Sequence, residues 1–275
     1  MNYRVAKVFN SNAVLAQDET ETQVVLMSKG IGFGRHIGEL IEDYGDNQKI
    51  FYILDDNVNT MKMKQLDFEV KKVEQVTREI VEVARERLQI DNDKLYGALV
   101  DHITFAVECL HMGLPIDNPF CGEIAILYSQ EYETAQIAAE IIKERIGVEI
   151  GDGETGFIAL HLYSARKNKH IRTAMKNTRV YSEILTMVGN SMSKKLDNTH
   201  APAKSFLLSI HCLVTLTAHH NPIIMSLKQQ VKLNISSSYL IALQVAKLVE
   251  KEMDIQLSED AVAFIALDIE KLKQL

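Results

Sequence analysis

The rhythm of apolar and polar positions changes once along the chain, near residues 55–63. Before that point the apolar runs are short. Val5, Val8 and Phe9 lead into the turn-type cluster Asn10-Ser11-Asn12, and Ala13 to Ala16 resume the run. Gln17 to Glu21 interrupt it, Thr22 to Met27 are β-rich, and three glycines fall between Gly30 and Gly34. Lys49 to Leu54 close the segment. Short strands separated by turn signals predict a small antiparallel sheet. So short a segment buries little core, and dimerisation is the expected supplement.

Beyond the change the period is helical. Val70, Val73, Val76, Ile80 and Ala84 recur at three or four, as do Leu95, Leu99, His102, Phe105 and Cys109. The four prolines, Pro115, Pro119, Pro202 and Pro222, fit loops. The helical part also repeats itself. Phe157-Ile158-Ala159-Leu160 recurs letter for letter as Phe264-Ile265-Ala266-Leu267, 107 residues later, and Tyr132, Ala135 and Ala139 match Tyr239, Ala242 and Ala246 at that offset. A tandem duplication of a helical domain accounts for this. The expected organisation is a β domain over 1–57 and two all-α helical-bundle domains over 64–171 and 172–275. His161 follows the first copy of the repeated motif and Asp268 the second; with a two-residue shift, His102 pairs with His211.

Composition narrows the classes. The 275 residues are 47% hydrophobic and 24% charged, an ordinary globular balance. No apolar run approaches the ~20 residues that span a bilayer, and the first residues lack a signal-peptide core. Cys109, Cys121 and Cys212 form no close pair of metal-ligand or redox type, so reduced thiols in a cytoplasmic protein are expected. The net charge of −7 counts against a broad nucleic-acid footprint. The β segment does not escape this: five Lys/Arg stand against nine Asp/Glu in residues 1–56. Any RNA contact must be a small local patch.

Enzyme and metal chemistry find no support in spacing. There is no His-Glu-x-x-His, no clustered Cys/His set and no Gly-x-Ser-x-Gly elbow. Gly32-x-Gly34 lacks the helix and ribose-binding acid of a dinucleotide site. No cofactor is expected. Two sets of residues remain. Lys7, Asn10, Asn12, Ser28, Lys29, Gly30, Phe33 and Arg35 serve turns on the plainest reading. They also offer amides, cations and a stacking ring, the means by which unpaired RNA bases are read. His102, His161 and His211, each taken alone, fit hydrogen-bonded core histidines. Recurrence at matched places in two copies favours a role that needs imidazole, which can carry a proton, a metal or a phosphoryl group near neutral pH.

At this point the chain resembles the BglG/SacY-type transcriptional antiterminators, over essentially its full length. Val5 to Asn12 and Val24 to Gly34 look like the RNA-binding module. Leu99-Val100-Asp101-His102, Asn118-Pro119 and Gly156 to His161 look like a first phosphotransferase regulation domain. The stretch around His211 and Phe264 to Asp268 looks like a second. The resemblance implies a β-sheet homodimer that binds a leader-mRNA hairpin and keeps a terminator from forming. It implies phosphorylation of His102, His161 and His211 by the sugar phosphotransferase system. In such proteins a sugar-specific enzyme II permease component modifies the first domain, and the phosphocarrier HPr the second. No catalysis by the chain itself is implied. Charge added to a histidine disfavours packing against an acid such as Asp101, which is the switch expected of this arrangement. Asp268 departs from the pattern and reads as a fixed charge or as the partner of Lys271 or Lys273. A DNA-binding activator with the same regulation domains is the alternative; it requires a helix-turn-helix segment.

Overall fold

In the computed structural model the described residues are 3–10, 13–21, 23–27, 31–32, 34–41, 50–53, 60–111, 117–196, 198, 200–221 and 223–274. Among these residues five strands precede ten helices. They are β1 (Tyr3–Asn10), β2 (Ala13–Gln17), β3 (Gln23–Met27), β4 (Leu40–Ile41) and β5 (Ile50–Ile53). The helices are α1 (Thr60–Leu88), α2 (Lys94–His111), α3 (Cys121–Leu127), α4 (Ser129–Ile146), α5 (Asp152–Arg166), α6 (Ile171–Ser191), α7 (Ala201–Ala218), α8 (Lys228–Asn234), α9 (Ser236–Met253) and α10 (Glu259–Leu272).

The strands form one antiparallel sheet in the order β4-β1-β2-β3-β5. Period-2 alternation puts Tyr3 and Val5, Val14 and Ala16, and Val24 and Leu26 on one face, where they bury together with Ile31 and Ile41. Leu15, on the other face, is also fully buried. Two register shifts in the β1–β2 pair, between Val5 and Lys7 and between Val8 and Asn10, break the ladder beside Lys7. The chain returns to the sheet through Gly38, at φ +93°, a conformation other residues adopt only with strain. Its N–H donates to the Val5 carbonyl at 2.8 Å.

The helices carry the duplication. α2, α3, α4 and α5 begin at Lys94, Cys121, Ser129 and Asp152; α7, α8, α9 and α10 begin 107 residues later in every case, at Ala201, Lys228, Ser236 and Glu259. Burial follows the same register: Leu99, Ile103, Ala106 and Val107 of α2 correspond to Phe206, Ile210, Leu213 and Val214 of α7, and all eight are buried. The two-residue shift expected around His211 is therefore absent. Pro202 lies not in a loop but in the first turn of α7, where its missing N–H has no helical partner to lose.

Packing divides the chain into two units, residues 1–86, 93–117 and 137–154 in one and residues 87–92, 118–136 and 155–275 in the other. The first holds the sheet, with β1 touching α2. In the second, α10 packs on α7, α8 and α9, and α6 on α7 and α9. The α10 start is well defined: the Ser258 hydroxyl accepts from the Ala261 N–H at 3.2 Å, and Glu259 and Asp260 favour the positive end of the helix dipole. Among the described residues α7 alone has the length and hydropathy of a membrane span. Its buried stripe of Ala203, Phe206, Leu207, Ile210, Leu213 and Val214, at three- and four-residue spacing, makes it a core helix of the second unit.

Candidate functional site

Of the expected RNA-contact residues, Asn12, Ser28, Lys29, Gly30 and Phe33 lie outside the described residues, and Asn10 is described for its backbone alone, at the end of β1. Lys7 sits half-buried on β1, and its Nζ lies 3.7 Å from Oε1 of Glu108 on α2. Glu108 is itself buried, so one of the few cations of the sheet faces a carboxylate of the helical part. Arg35 is half-buried; its Nη1 donates to the Leu40 carbonyl at 3.1 Å and lies 3.8 Å from Glu39. That bond ties the segment after Gly34 to the start of β4. Residues 3–41 contribute strands and turns where they are described, so the helix-turn-helix required by the DNA-binding alternative is not found among them.

The three histidines expected to accept phosphoryl groups fall in different surroundings. His102, on α2, is half-buried with Nε2 2.9 Å from Oε2 of Glu154 in the first turn of α5. Glu154 is 2% exposed. The approach sets a ring nitrogen of α2 directly against a buried carboxylate of α5. The same pocket acts on its neighbour: burial, then Glu154, then Glu108, pushes the Cys109 thiol up to about 12. Asp101, expected to be the acid beside His102, points to solvent instead. Sequence reasoning missed Glu154. The available signal was its place on α5, seven residues before His161 and so on the same helix face.

His161 is half-buried on α5. His211 is placed differently. Its Nδ1 lies 3.1 Å from the Tyr181 hydroxyl of α6, and its ring meets Tyr181 and Tyr128 edge-on, at centroid distances of 5.5 and 6.4 Å. Burial, and then the charge of Lys169, lower its pKa below the ordinary 6.5. Burial likewise lifts the Tyr181 and Tyr128 phenols well above the usual tyrosine range. His211 is thus a half-buried residue packed against aromatic rings.

With no shift in register, the counterpart of His211 is Thr104, and the counterpart of His102 is Ser209. Two residues along a helix is a rotation of roughly 200°, at about 100° per residue, so these positions face opposite ways. Ser209 donates its hydroxyl to Oδ2 of Asp268 on α10, the counterpart of His161. Lys271 Nζ donates to the other oxygen, Oδ1, at 2.7 Å. His170, His200, His219 and His220 are all exposed, as their lack of a matched partner suggests.

Comparison with known proteins agrees with this architecture. The CAT RNA binding domain matches residues 3–60 and the PRD domain matches residues 74–165 and again 182–272. The chain is 27% identical over 274 residues to the "Beta-glucoside operon antiterminator" of Dickeya chrysanthemi, covering 98% of this chain and 96% of that one. It is 27% identical to "Protein GlcT" of Staphylococcus saprophyticus, with the same coverage, and 26% identical to "Transcription antiterminator LicT" of Bacillus subtilis, over 98% of both chains. A β-sheet RNA-binding domain followed by two helical PRD domains defines a class of RNA-binding, non-enzymatic transcription regulators. The chain belongs to the BglG family of antiterminators.

Proposed function

We propose that this protein binds a hairpin in a leader mRNA through its sheet, as a homodimer in the cytoplasm. Bound there, it keeps an overlapping terminator from forming, so that a sugar-utilisation operon is read through. The three domains run over 1–57, 64–171 and 172–275. RNA contacts come from Lys7, Asn10, Asn12, Ser28, Lys29, Gly30, Phe33 and Arg35. Read-through is set by phosphoryl transfer to His102 and His161 from the phosphocarrier HPr and a sugar-specific enzyme II permease component. The names of the relatives, which include a β-glucoside operon antiterminator, support the sugar link.

One observation carries the regulatory part: His102 stands against a buried carboxylate in the domain that matches a PRD. A phosphoryl group on that ring would bring about two negative charges up to Glu154, where desolvation strengthens repulsion. The pair could not persist as it is, and α2 and α5 would have to rearrange, which makes the contact a local trigger for a two-state element. The test is a binding titration of the full chain on its leader RNA, before and after phosphorylation by HPr and the permease component. Loss of affinity on phosphorylation, abolished in a His102→Ala, His161→Ala double variant, supports the reading. Equal affinity in both states removes histidine phosphorylation as the control.

A further inference from the structure

The duplication allows the two regulation domains to be compared position by position, and the second lacks both imidazoles of the first. Ser209 stands at the place of His102 and Asp268 at the place of His161. The two replacements are joined to each other: the Ser209 hydroxyl donates to Asp268 across α7 and α10, and Lys271 closes the carboxylate's other side. Asp268 is 14% exposed in its side chain, so its contact with Ser209 is shielded from competing water, whereas Lys271, 73% exposed, adds little by charge alone. A second link lies two residues further on, on the other side of α10. Glu270 accepts from Ser238 of α9 and from Lys273 at 3.1 Å. α10 is thereby tied through side chains to both α7 and α9.

The remaining histidine of α7 does not take over the role. His211 faces α6, with Nδ1 against Tyr181 and its ring beside Tyr128. A phosphoryl group there would place charge beside two buried aromatic rings, at a position whose burial already disfavours a charged imidazole.

We propose that the second PRD accepts no phosphoryl group and that Ser209–Asp268 is a permanent clamp between α7 and α10, so that the phosphotransferase signal enters through the first PRD alone. The inference rests on the histidine-phosphorylation reading above for its meaning in regulation, but the clamp itself is a property of the second unit. It assigns Ser209 and Asp268 a positioning role and removes His211 from the acceptors.

The experiment uses the full chain, incubated with radiolabelled phosphoenolpyruvate, enzyme I, HPr and the permease component, and digested for peptide mapping. The label should be acid-labile, lie only on peptides carrying His102 or His161, and fall to background in the His102→Ala, His161→Ala variant. Label on the peptide containing His211, or acid-stable label on Ser209, overturns the inference. No label anywhere defeats the phosphorylation reading instead. The clamp is then decided by amide hydrogen exchange in the same protein: Asp268→Ala and, separately, Ser209→Ala should each raise exchange in α7 and α10 several-fold, while Cys212→Ser on the exposed face of α7 should not. Unchanged exchange in both clamp variants overturns it.

Discussion

Nε2 of His102 and Oε2 of Glu154 lie 2.9 Å apart, joining the middle of α2 to the first turn of α5. The carboxylate is almost fully buried and the imidazole largely so, with side-chain exposures of 2% and 13%. Replacing Glu154 by Gln keeps the shape and removes the charge. The expected outcome is slower phosphorylation of His102, because the ring loses the buried carboxylate that faces its Nε2 and holds it against α5. Groups that face the outer ring nitrogen of a metal-bound histidine are worth about 10–100-fold, and an effect near the lower end of that range is expected here. Initial rates of label incorporation at His102 measure it, with His161 as the internal control. Equal rates in parent and variant would show that Glu154 does not position the ring.

His211 predicts a pH dependence of stability. Its pKa in the folded chain is below the ordinary 6.5, first through burial and then through Lys169. The unfolded chain therefore binds a proton more readily than the folded one. The stabilisation is complete above about pH 6.5, the unfolded value, and is lost as pH falls from there towards the lower folded value. Thermal denaturation should show Tm dropping across that acidic window. A His211→Gln variant should show a shallower drop over the same range. Tyr181→Phe, which removes the hydroxyl beside Nδ1, should cost about 1 kcal/mol at neutral pH.

The sheet offers few cations for RNA, and one of them is engaged. Lys7 faces buried Glu108 at 3.7 Å. Glu108→Gln should tighten RNA binding by releasing Lys7. Lys7→Ala should weaken it and reduce the slope of log affinity against log salt by about 1, the value for one lost phosphate contact. Phe33→Ala should cost about 1–3 kcal/mol of binding if its ring stacks on a base. Filter binding across a salt series reads all three. An unchanged salt slope for Lys7→Ala would remove that residue from the RNA surface.

The start of α10 can be tested without touching the site. Ser258→Ala removes the hydroxyl that accepts from the Ala261 N–H, and should lower stability by about 1 kcal/mol. Denaturant unfolding followed in α10 checks this; a loss within error would show that Glu259 and Asp260 suffice to hold the helix start.

Much of this architecture was legible in the chain. Turn residues and alternation marked the strands, and α1 begins at Thr60, within the stretch where the rhythm changes. The repeated Phe-Ile-Ala-Leu motif gave the 107-residue offset that the starts of α7, α8, α9 and α10 then obey. The misplacement of His211 came from matching histidine to histidine rather than keeping that offset. On a helix such a slip changes the face, which is why His211 meets Tyr181 while Ser209 meets Asp268. Glu154 shares a helix face with His161, but its contact with His102 joins two helices far apart in sequence, a pairing that spacing along α5 does not encode. Asp101, adjacent in sequence to His102, drew attention that its exposed side chain does not bear out.

The central claim, an RNA-binding antiterminator silenced through the first PRD, meets its most direct test in single-round transcription on a template carrying the leader and its terminator. Purified full-length protein should raise the fraction of full-length transcript. Prior phosphorylation by HPr and the permease component should abolish that gain, and the His102→Ala, His161→Ala variant should keep it after the same treatment. Read-through that is unaffected by the unphosphorylated protein, or that falls equally in parent and double variant, would contradict the account.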